Sequence, residues 1–399
     1  MSASSARLVV RGTCVLALVG CCAAGPQPGA HGAADSSTGS VVITAIGAGR
    51  GDNPGAGHTC ALDSAGGVWC WGENIFGELG DGTTDDRAMP VHVTGLQEPA
   101  KAIAVGGHHT CVLTGGGGVK CWGVNVRGQL GDGSGSENSA VPVDVSGLQS
   151  GVSAIATGAG HVCALADAGA VRCWGMFGGG ATDDVMLPVA IQGLSSGVRA
   201  LAGGTSHTCV ITAAGGVRCW GSGDWGQLGD AKTLTQAIPI RDRPVDVVGL
   251  SGGVKAIAAG DAHTCALTDA GAVECWGANL ANSTRDNAGA PVAVAGLGSG
   301  VASIATSYWH TCAVMGGGTV RCWGNNDYGQ LGDGTRSERF APVQVGRLSA
   351  RITAVAAGGY HTCALTSVGG VLCWGSNATG QLGDGTTTDR SRPVEVRFP

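Results

Sequence analysis

The sequence predicts an all-β fold: a seven-bladed β-propeller of four-stranded antiparallel blades, each blade stapled by its own disulfide. Three observations carry that expectation. Glycine supplies 74 of 399 residues, while 43% are hydrophobic and only 13% are charged. Such a chain is too apolar to stay disordered and too glycine-rich for long helices, which leaves strands joined by tight turns. Two cysteines ten residues apart then recur seven times. They are Cys60 and Cys70, Cys111 and Cys121, Cys163 and Cys173, Cys209 and Cys219, Cys265 and Cys275, Cys312 and Cys322, and Cys363 and Cys373. Finally, the pairs return about every 50 residues, the period of a propeller or solenoid built from repeated supersecondary units.

Within a copy, four short strands can be read. In the fifth copy "VKAIAAG" is the first, "HTCALT" the second, "AVECWG" the third and "APVAVAG" the fourth. Alternation, β-branched residues and flanking glycines support each one, and four strands at this period make a blade. Seven blades close into a ring, which removes exposed sheet edges. Closure is expected through the terminal "PVEV" pairing within a sheet that contains the N-terminal "VVITAI".

The cysteine spacing follows from hairpin symmetry. Centring the fifth hairpin on Ala270 sets Leu267 opposite Val273 and Cys265 opposite Cys275. Opposed residues of a non-hydrogen-bonded pair have Cα atoms about 4.5 Å apart, which a disulfide accepts. Each pair is therefore expected to link the second and third strands of its own blade, contributing roughly 2–3 kcal/mol by the chain-entropy model. The competing reading is reduced cysteines packed as small apolar side chains. Zinc does not fit, since the pairs lack a second pair at ligand spacing.

Two further residues repeat in every copy. A tryptophan follows each second cysteine (Trp71, Trp122, Trp174, Trp220, Trp276, Trp323, Trp374), suited to packing one blade on the next. A histidine stands two residues before each first cysteine (His58, His109, His161, His207, His263, His310, His361). Seven equivalent histidines are too dispersed for one active site, and a hydrogen bond stabilising the adjacent turn is expected of them.

The N-terminus has its own logic. Arg7 and Arg11 precede a short apolar run from Cys14 to Val19, the pattern of a secretion signal. "LVGC" (Leu18 to Cys21) resembles a bacterial lipobox, which implies cleavage before Cys21 and lipid on its sulfur. An ordinary cleaved signal is the alternative. Residues 1–20 are thus assigned to the signal, 21–40 to a small, polar tether and 41–399 to the propeller. Export supplies the oxidising compartment that the disulfides need, so the bacterial cell envelope or the exterior is the expected location.

"IAAGDAHTCAL" (Ile257 to Leu267) and "CWGNNDYGQLGDG" (Cys322 to Gly334) resemble the repeat of the regulator of chromosome condensation family, across residues 41–399. The resemblance implies a seven-bladed β-propeller. Three copies depart from the pattern: a truncated "GMFGGGATDD" in the third, a longer linker from Lys232 to Arg243 in the fourth, and "GANLANSTRDNAGA" in the fifth. The repeated cysteines are also additional to the eukaryotic pattern. Founding eukaryotic members are nucleotide-exchange factors for a small nuclear GTPase and bind chromatin. An exported chain with net charge −6 and no basic patch matches that role poorly. Secreted bacterial propellers of this class include a β-lactamase inhibitor that binds its target through one face, which implies a mode of action without naming a target.

Strand order decides which loops share a face. The turns from strand two to three are monotonous ("TDAGA", "DSAGG", "TAAGG", "MGGGT"), whereas the loops at the opposite rim vary. Before the repeated histidine stand His108, Ser206, Ala262, Trp309 and Tyr360, with Tyr308 beside Trp309; before the Gly-Gln-Leu turn stand Phe76, Arg127, Trp225, Tyr328 and Thr379. Aromatics and arginine dominate binding hot spots, and loops on a rigid scaffold commonly bind. Phe76, Arg127, Trp225, Tyr328, His108, Tyr308, Trp309 and Tyr360 are therefore the candidate contacts for a protein or envelope glycan, presented by a monomer.

A glycan hydrolase is the competing class, because "LDSAGGVWCW" (Leu62 to Trp71) loosely resembles the Asp box of propeller sialidases. No second motif supplies a nucleophile with its base, so no catalytic residue, cofactor or metal is assigned. "DGTTDD" (Asp81 to Asp86) reads as a solvated acidic turn, with calcium the lesser alternative. "RGD" (Arg50 to Asp52), in an insertion particular to the first copy, reads as a chance match.

Overall fold

The computed structural model describes residues 41–51, 55–135, 137–177, 184–232, 240–278 and 286–399. The expected signal and tether, with Cys21, lie outside them, as does Asp52 and much of the three departing loops. Among the described residues 28 strands follow one another in chain order, four to a sheet, in seven sheets. Blade 1 comprises β1 (Ile43–Ala48), β2 (His58–Asp63), β3 (Val68–Gly72) and β4 (Arg87–His92), and the other six repeat it. The second strand of every copy is buried along most of its length, while the fourth alternates between half-buried and exposed. The second strand thus sits in the middle of the sheet stack and the fourth faces solvent.

The hairpin register holds as read. Cys265 opposes Cys275 and Leu267 opposes Val273, with the same alignment in each blade. All seven cysteine pairs form disulfides within their own blades. Cys60 bonds to Cys70, Cys111 to Cys121, Cys163 to Cys173 and Cys209 to Cys219, each with Cα atoms 4.1 Å apart. Cys265 bonds to Cys275, Cys312 to Cys322 and Cys363 to Cys373 at the same 4.1 Å. The alternative of reduced, merely packed cysteines is thereby set aside. The repeated tryptophans are buried in clusters contributed by the preceding blade: Trp122, for example, packs with Cys60, Cys70 and Leu79.

Ring closure differs from the expectation. β1 pairs with β2, and the last strand, β28 (Arg390–Glu395), pairs with β27 (Val371–Gly375), so no sheet joins the two ends of the described chain. Each terminal blade already owns four consecutive strands and has none to lend. Side chains close the seam instead. Trp71 packs with Cys363, Leu382 and Val396, and its Nε1 donates to the Gln381 carbonyl at 2.9 Å. Phe398 lies edge-on to Trp71 at 5.9 Å, and the Ile43 amide donates to the Gly369 carbonyl.

The histidines also differ from the expectation. Their Nε2 bonds run between blades, while His310 also braces its own turn as expected, its Nδ1 meeting Ser307 Oγ at 3.0 Å. His58 Nε2 meets Thr110 Oγ1 at 2.9 Å, and the same contact joins His161 to Thr208, His207 to Thr264, His263 to Thr311, His310 to Thr362 and His361 to Thr59. The Thr59, Thr110, Thr264 and Thr362 hydroxyls donate onward to the carbonyls of Gln381, Glu78, Gln227 and Gln330. A hydroxyl has one proton, so at these junctions the imidazole must be the donor and carries its hydrogen on Nε2. The glycine three residues before each of five of these histidines leaves room for the ring: a Cβ at Gly106 would stand 2.3 Å from His109. One junction fails. Blade 3 carries Val162 where the threonine belongs, and both His109 nitrogens are buried without partners.

That lapse is reversible in principle. Val162→Thr restores a hydroxyl between His109 and the Gln129 carbonyl and should raise the thermal midpoint, by about 1 kcal/mol of stability. The mirror substitution Thr110→Val should strip His58 of its acceptor and cost about 1–3 kcal/mol. Thermal unfolding under oxidising conditions measures both, and a neutral or destabilising Val162→Thr would remove the junction from the account.

The same rings set the response to acid. Burial depresses the imidazoles from 6.5 to about 3 in His109, His207, His263 and His310, and to about 4 in His161 and His361. His58 is likewise held well below its ordinary value by burial. The folded state therefore binds fewer protons than the unfolded state below pH 6.5, and stability must fall as pH falls through that window. Glu78 and Asp86, whose carboxyls are raised by burial, act in the opposite sense, while the lowered carboxyls of Asp81, Asp333 and Asp384 side with the histidines at lower pH. Denaturant midpoints should be level above pH 7 and drop clearly by pH 5.5; equal midpoints would show that the rings titrate normally.

Candidate functional site

The variable rim is built by the loops between strands one and two and between strands three and four. The second of these has a rigid design. In blade 7 the Asn377 amide donates to the carbonyls of Thr386 and Thr388 while its oxygen accepts the Leu382 amide. Gln381 Oε1 accepts the Thr379 amide, and the Gln129, Gln227 and Gln330 side chains hold Arg127, Trp225 and Tyr328 the same way. The residue just before the Gly-Gln-Leu turn is thus presented by a braced backbone.

Such loops turn their first aspartate inward. Asp81 accepts from the Thr83 amide and hydroxyl and pairs with Arg87 at 3.1 Å, and Asp86 accepts the Asn74 amide. Hydrogen bonds from Thr83 and Arg87 hold the Asp81 carboxyl below its ordinary range against the opposing effect of burial. The "DGTTDD" stretch is an exposed turn at Asp85 and Asp86, as read, whose Asp81 also braces the loop from within. Asp63, in the stretch resembling an Asp box, accepts the Ala65 and Gly67 amides and Trp69 Nε1, so its oxygens serve its own hairpin.

The eight rim candidates do not form one patch. Tyr308, Tyr328 and Tyr360 come together from blades 6 and 7: Tyr328 meets Tyr360 edge-on at 5.2 Å, and Tyr308 lies 6.2 Å from Tyr360. Burial raises the Tyr360 hydroxyl, reinforced by Tyr328, Asp261 and Asp327, which marks the surroundings as acidic. Trp309 is half-buried on the same loop as Tyr308. Trp225 stands apart in blade 4 with 48% of its surface exposed. Arg127 is exposed and paired with Asp184 at 3.4 Å.

His108 and Phe76 make a separate group at the junction of blades 1 and 2. Phe76 lies edge-on to the imidazole at 5.4 Å. On its other side His108 Nδ1 is 3.2 Å from Glu78 Oε1 and 3.5 Å from Glu73 Oε2. Burial raises the Glu78 carboxyl, against hydrogen bonds from His108 and the Phe76 amide. Those three ligand atoms lie within 4.8 Å of one another, making this a group that could hold a metal ion. Sequence reading missed both glutamates: "GELGDG" differs from its neighbours' "GQLGDG" only at Glu78, and Glu73 falls at a position that varies between copies.

Arg50 is the other residue missed. It is 8% exposed, and its guanidinium crosses the central axis from blade 1. It donates to the Ala259 carbonyl at 2.8 Å, the Gly260 carbonyl at 3.3 Å and Thr205 Oγ1 at 3.2 Å, in blades 4 and 5. Burial lowers its basicity, and Tyr308 and Asp261 oppose that. The innermost strands line the axis with small and apolar residues such as Ile46, Ile103, Ala258 and Ile304, and Arg50 bars it at the variable rim. The "RGD" insertion is therefore structural at its first residue. A lone arginine in the copy with the longest first loop was the available signal.

Known proteins bear on this geometry. The model of the regulator of chromosome condensation (RCC1) repeat matches residues 65–113, 117–165, 214–267, 317–365 and 368–399. The ultraviolet-B receptor UVR8 of Arabidopsis thaliana is 31% identical over 351 residues, covering 86% of this chain and 57% of the receptor. The E3 ubiquitin-protein ligase HERC2 of Homo sapiens is 31% identical over 347 residues, covering 86% of this chain and 5% of the ligase. The chain thus spans only part of either relative. Prp20p from Saccharomyces cerevisiae, a structure described together with its binding to Gsp1p and histones, superposes with a TM-score of 0.72 at 24% identity, covering 83% of this chain and 85% of that one. Human WBSCR16 gives 0.69 at 23% identity over 80% and 87%. At those identities the structural likeness speaks for the fold. The repeat matches, which take in more than half of the sequence, say more: the chain belongs to the regulator of chromosome condensation repeat family.

Proposed function

We propose that this protein is an exported, lipid-anchored, non-enzymatic scaffold that binds a protein partner through its variable rim. The observation carrying the reading is the cluster of Tyr308, Tyr328 and Tyr360 on that rim, while the opposite turns repeat almost unchanged. Aromatic rings beside Asp261 and Asp327 suit a partner that offers lysine or arginine, through cation–π contact and charge. Stiffness favours binding, because loops already ordered by internal hydrogen bonds lose less entropy on association. Prp20p, of the same fold, binds proteins.

Export is supported by the seven disulfides, which an oxidising compartment sustains, and by the basic-then-apolar N-terminus. Cys21 would carry the lipid. Against hydrolysis stands the internal use of the Asp63 carboxylate.

A photo-crosslinking residue at position 360 in intact cells should yield discrete adducts, while one at Val368, exposed on the opposite rim, should yield none. With the adduct identified, Tyr328→Ala combined with Tyr360→Ala should weaken the purified complex by about 2 kcal/mol or more, roughly thirtyfold. Equal adducts from both rims, or unchanged affinity in a folded double variant, would move binding elsewhere. Independently, Cys21→Ala should shift the protein from the detergent phase to the aqueous phase of a phase-partitioned cell extract; unchanged partition would remove the anchor.

A further inference from the structure

Seven copies of one loop provide an internal comparison, and blade 1 departs from it in charge. Where blade 1 has Glu78, the corresponding loops have Gln129, Gln227, Gln330 and Gln381. Each glutamine accepts a backbone amide through Oε1, and Gln227, Gln330 and Gln381 also donate through Nε2, to Ser222, Asn325 and the Gly55 carbonyl. Glu78 keeps the amide contact, with Phe76, but as a carboxylate has no hydrogen to donate. Where the other copies have Val124, Ser222, Asn325 and Ser376, blade 1 has a second carboxylate, Glu73.

Both carboxylates are nearly sealed from water, Glu73 at 5% exposure and Glu78 at 0%. Glu73 Oε2 is buried without a hydrogen-bond donor. Among the described residues, His108 is the one cationic side chain paired with either carboxylate. Its charge, even when protonated, balances only one of the two. Burying an unbalanced carboxylate is costly, and a bound cation relieves that cost. The spacing suits a metal as well. A tetrahedral ion with bonds of about 2.0–2.2 Å sets neighbouring ligands about 3.3–3.6 Å apart. His108 Nδ1 stands 3.2 Å from Glu78 Oε1 and 3.5 Å from Glu73 Oε2.

We propose that Glu73, Glu78 and His108 bind one divalent transition-metal ion of the zinc class, through one oxygen of each carboxylate and Nδ1 of the imidazole. Mixed oxygen and imidazole ligands favour zinc, cobalt or manganese over calcium, which takes oxygen alone. Three protein ligands leave a coordination position for water or for a donor from outside the chain. The Phe76 ring, edge-on to His108, fixes the orientation of the imidazole. The site does not depend on the binding role proposed for the tyrosine cluster, which lies on other blades.

The full chain, without an affinity tag of histidines, with its disulfides intact and its remaining thiols alkylated, is titrated with Co2+ and then Zn2+. One equivalent of Co2+ should bind with the intense visible bands of low-symmetry four-coordination, and Zn2+ should displace it and raise the thermal midpoint. Glu78→Gln installs the residue that four other blades already carry, so it should fold normally, yet it should weaken binding at least about tenfold and abolish the Zn2+-dependent rise in midpoint. Glu73→Gln should do the same. Absence of stoichiometric binding in the unmodified chain would overturn the proposal, with a protonated His108 then shared between the carboxylates. Binding that survives both substitutions would overturn it equally.

Discussion

The ring rests on a contact from an imidazole to a threonine hydroxyl of the next blade, made at six junctions and relayed on to a backbone carbonyl at four of them. His361, Thr59 and the Gln381 carbonyl complete it across the two ends of the chain, where a strand shared between first and last copies was expected. Tryptophan Nε1 groups converge on the same carbonyls: Trp71 on Gln381, Trp122 on Glu78, Trp276 on Gln227 and Trp374 on Gln330. One oxygen therefore ties the loop of one blade to two side chains of the next. Covalent bonds act within blades and this polar junction acts between them. The disulfides hold each hairpin and pack against the tryptophan of the next blade, while the threonine and its histidine supply directional bonds between blades.

The relay also fixes where variation is tolerated. Its members are buried, and each depends on a partner in another copy, so a change at one of them strands a polar group in the neighbouring blade. Loop tips carry no such obligation. The residue held by the Gln or Glu side-chain brace can be phenylalanine, arginine, tryptophan, tyrosine or threonine, because the contact common to all five is with its amide. A scaffold of this kind can change its recognition surface without disturbing the contacts that keep it closed. The tyrosine cluster and the Glu73–Glu78–His108 group lie on that free surface or just beneath it.

Legibility in the sequence follows the range of the interaction. The cysteine register is visible because it depends on ten consecutive residues and the symmetry of a hairpin. The tryptophans are visible because one large ring per copy at one position has few other uses. His58 misleads because its partner, Thr110, is 52 residues away in the next copy, and nothing local separates a turn brace from a bond between blades. Arg50 misleads for the same reason on a larger scale, since it reaches carbonyls more than 200 residues distant across the axis. Closure by a shared strand is a natural expectation because an open sheet edge is a liability; the count of complete four-strand copies leaves no strand free for it.

Near-symmetry gives each copy of the repeat the standing of a variant of the others. Val162 shows what the ring tolerates: with one junction in seven lacking its hydroxyl, both His109 nitrogens stay buried and the register of blade 3 is unchanged. A single lapse is bearable because the tryptophan contact persists there, Trp174 Nε1 still reaching the Gln129 carbonyl at 2.8 Å. Glu78 is the opposite case. Its carbonyl performs the shared structural task, receiving Thr110 and Trp122, while its side chain breaks the pattern with a charge that the fold does not need. A departure that costs desolvation and leaves the scaffold's own bonds intact has no structural reason to be there. By that measure the charge of the blade 1 glutamates answers to what the ring binds, while the Glu78 oxygen that takes the Phe76 amide keeps the loop's brace.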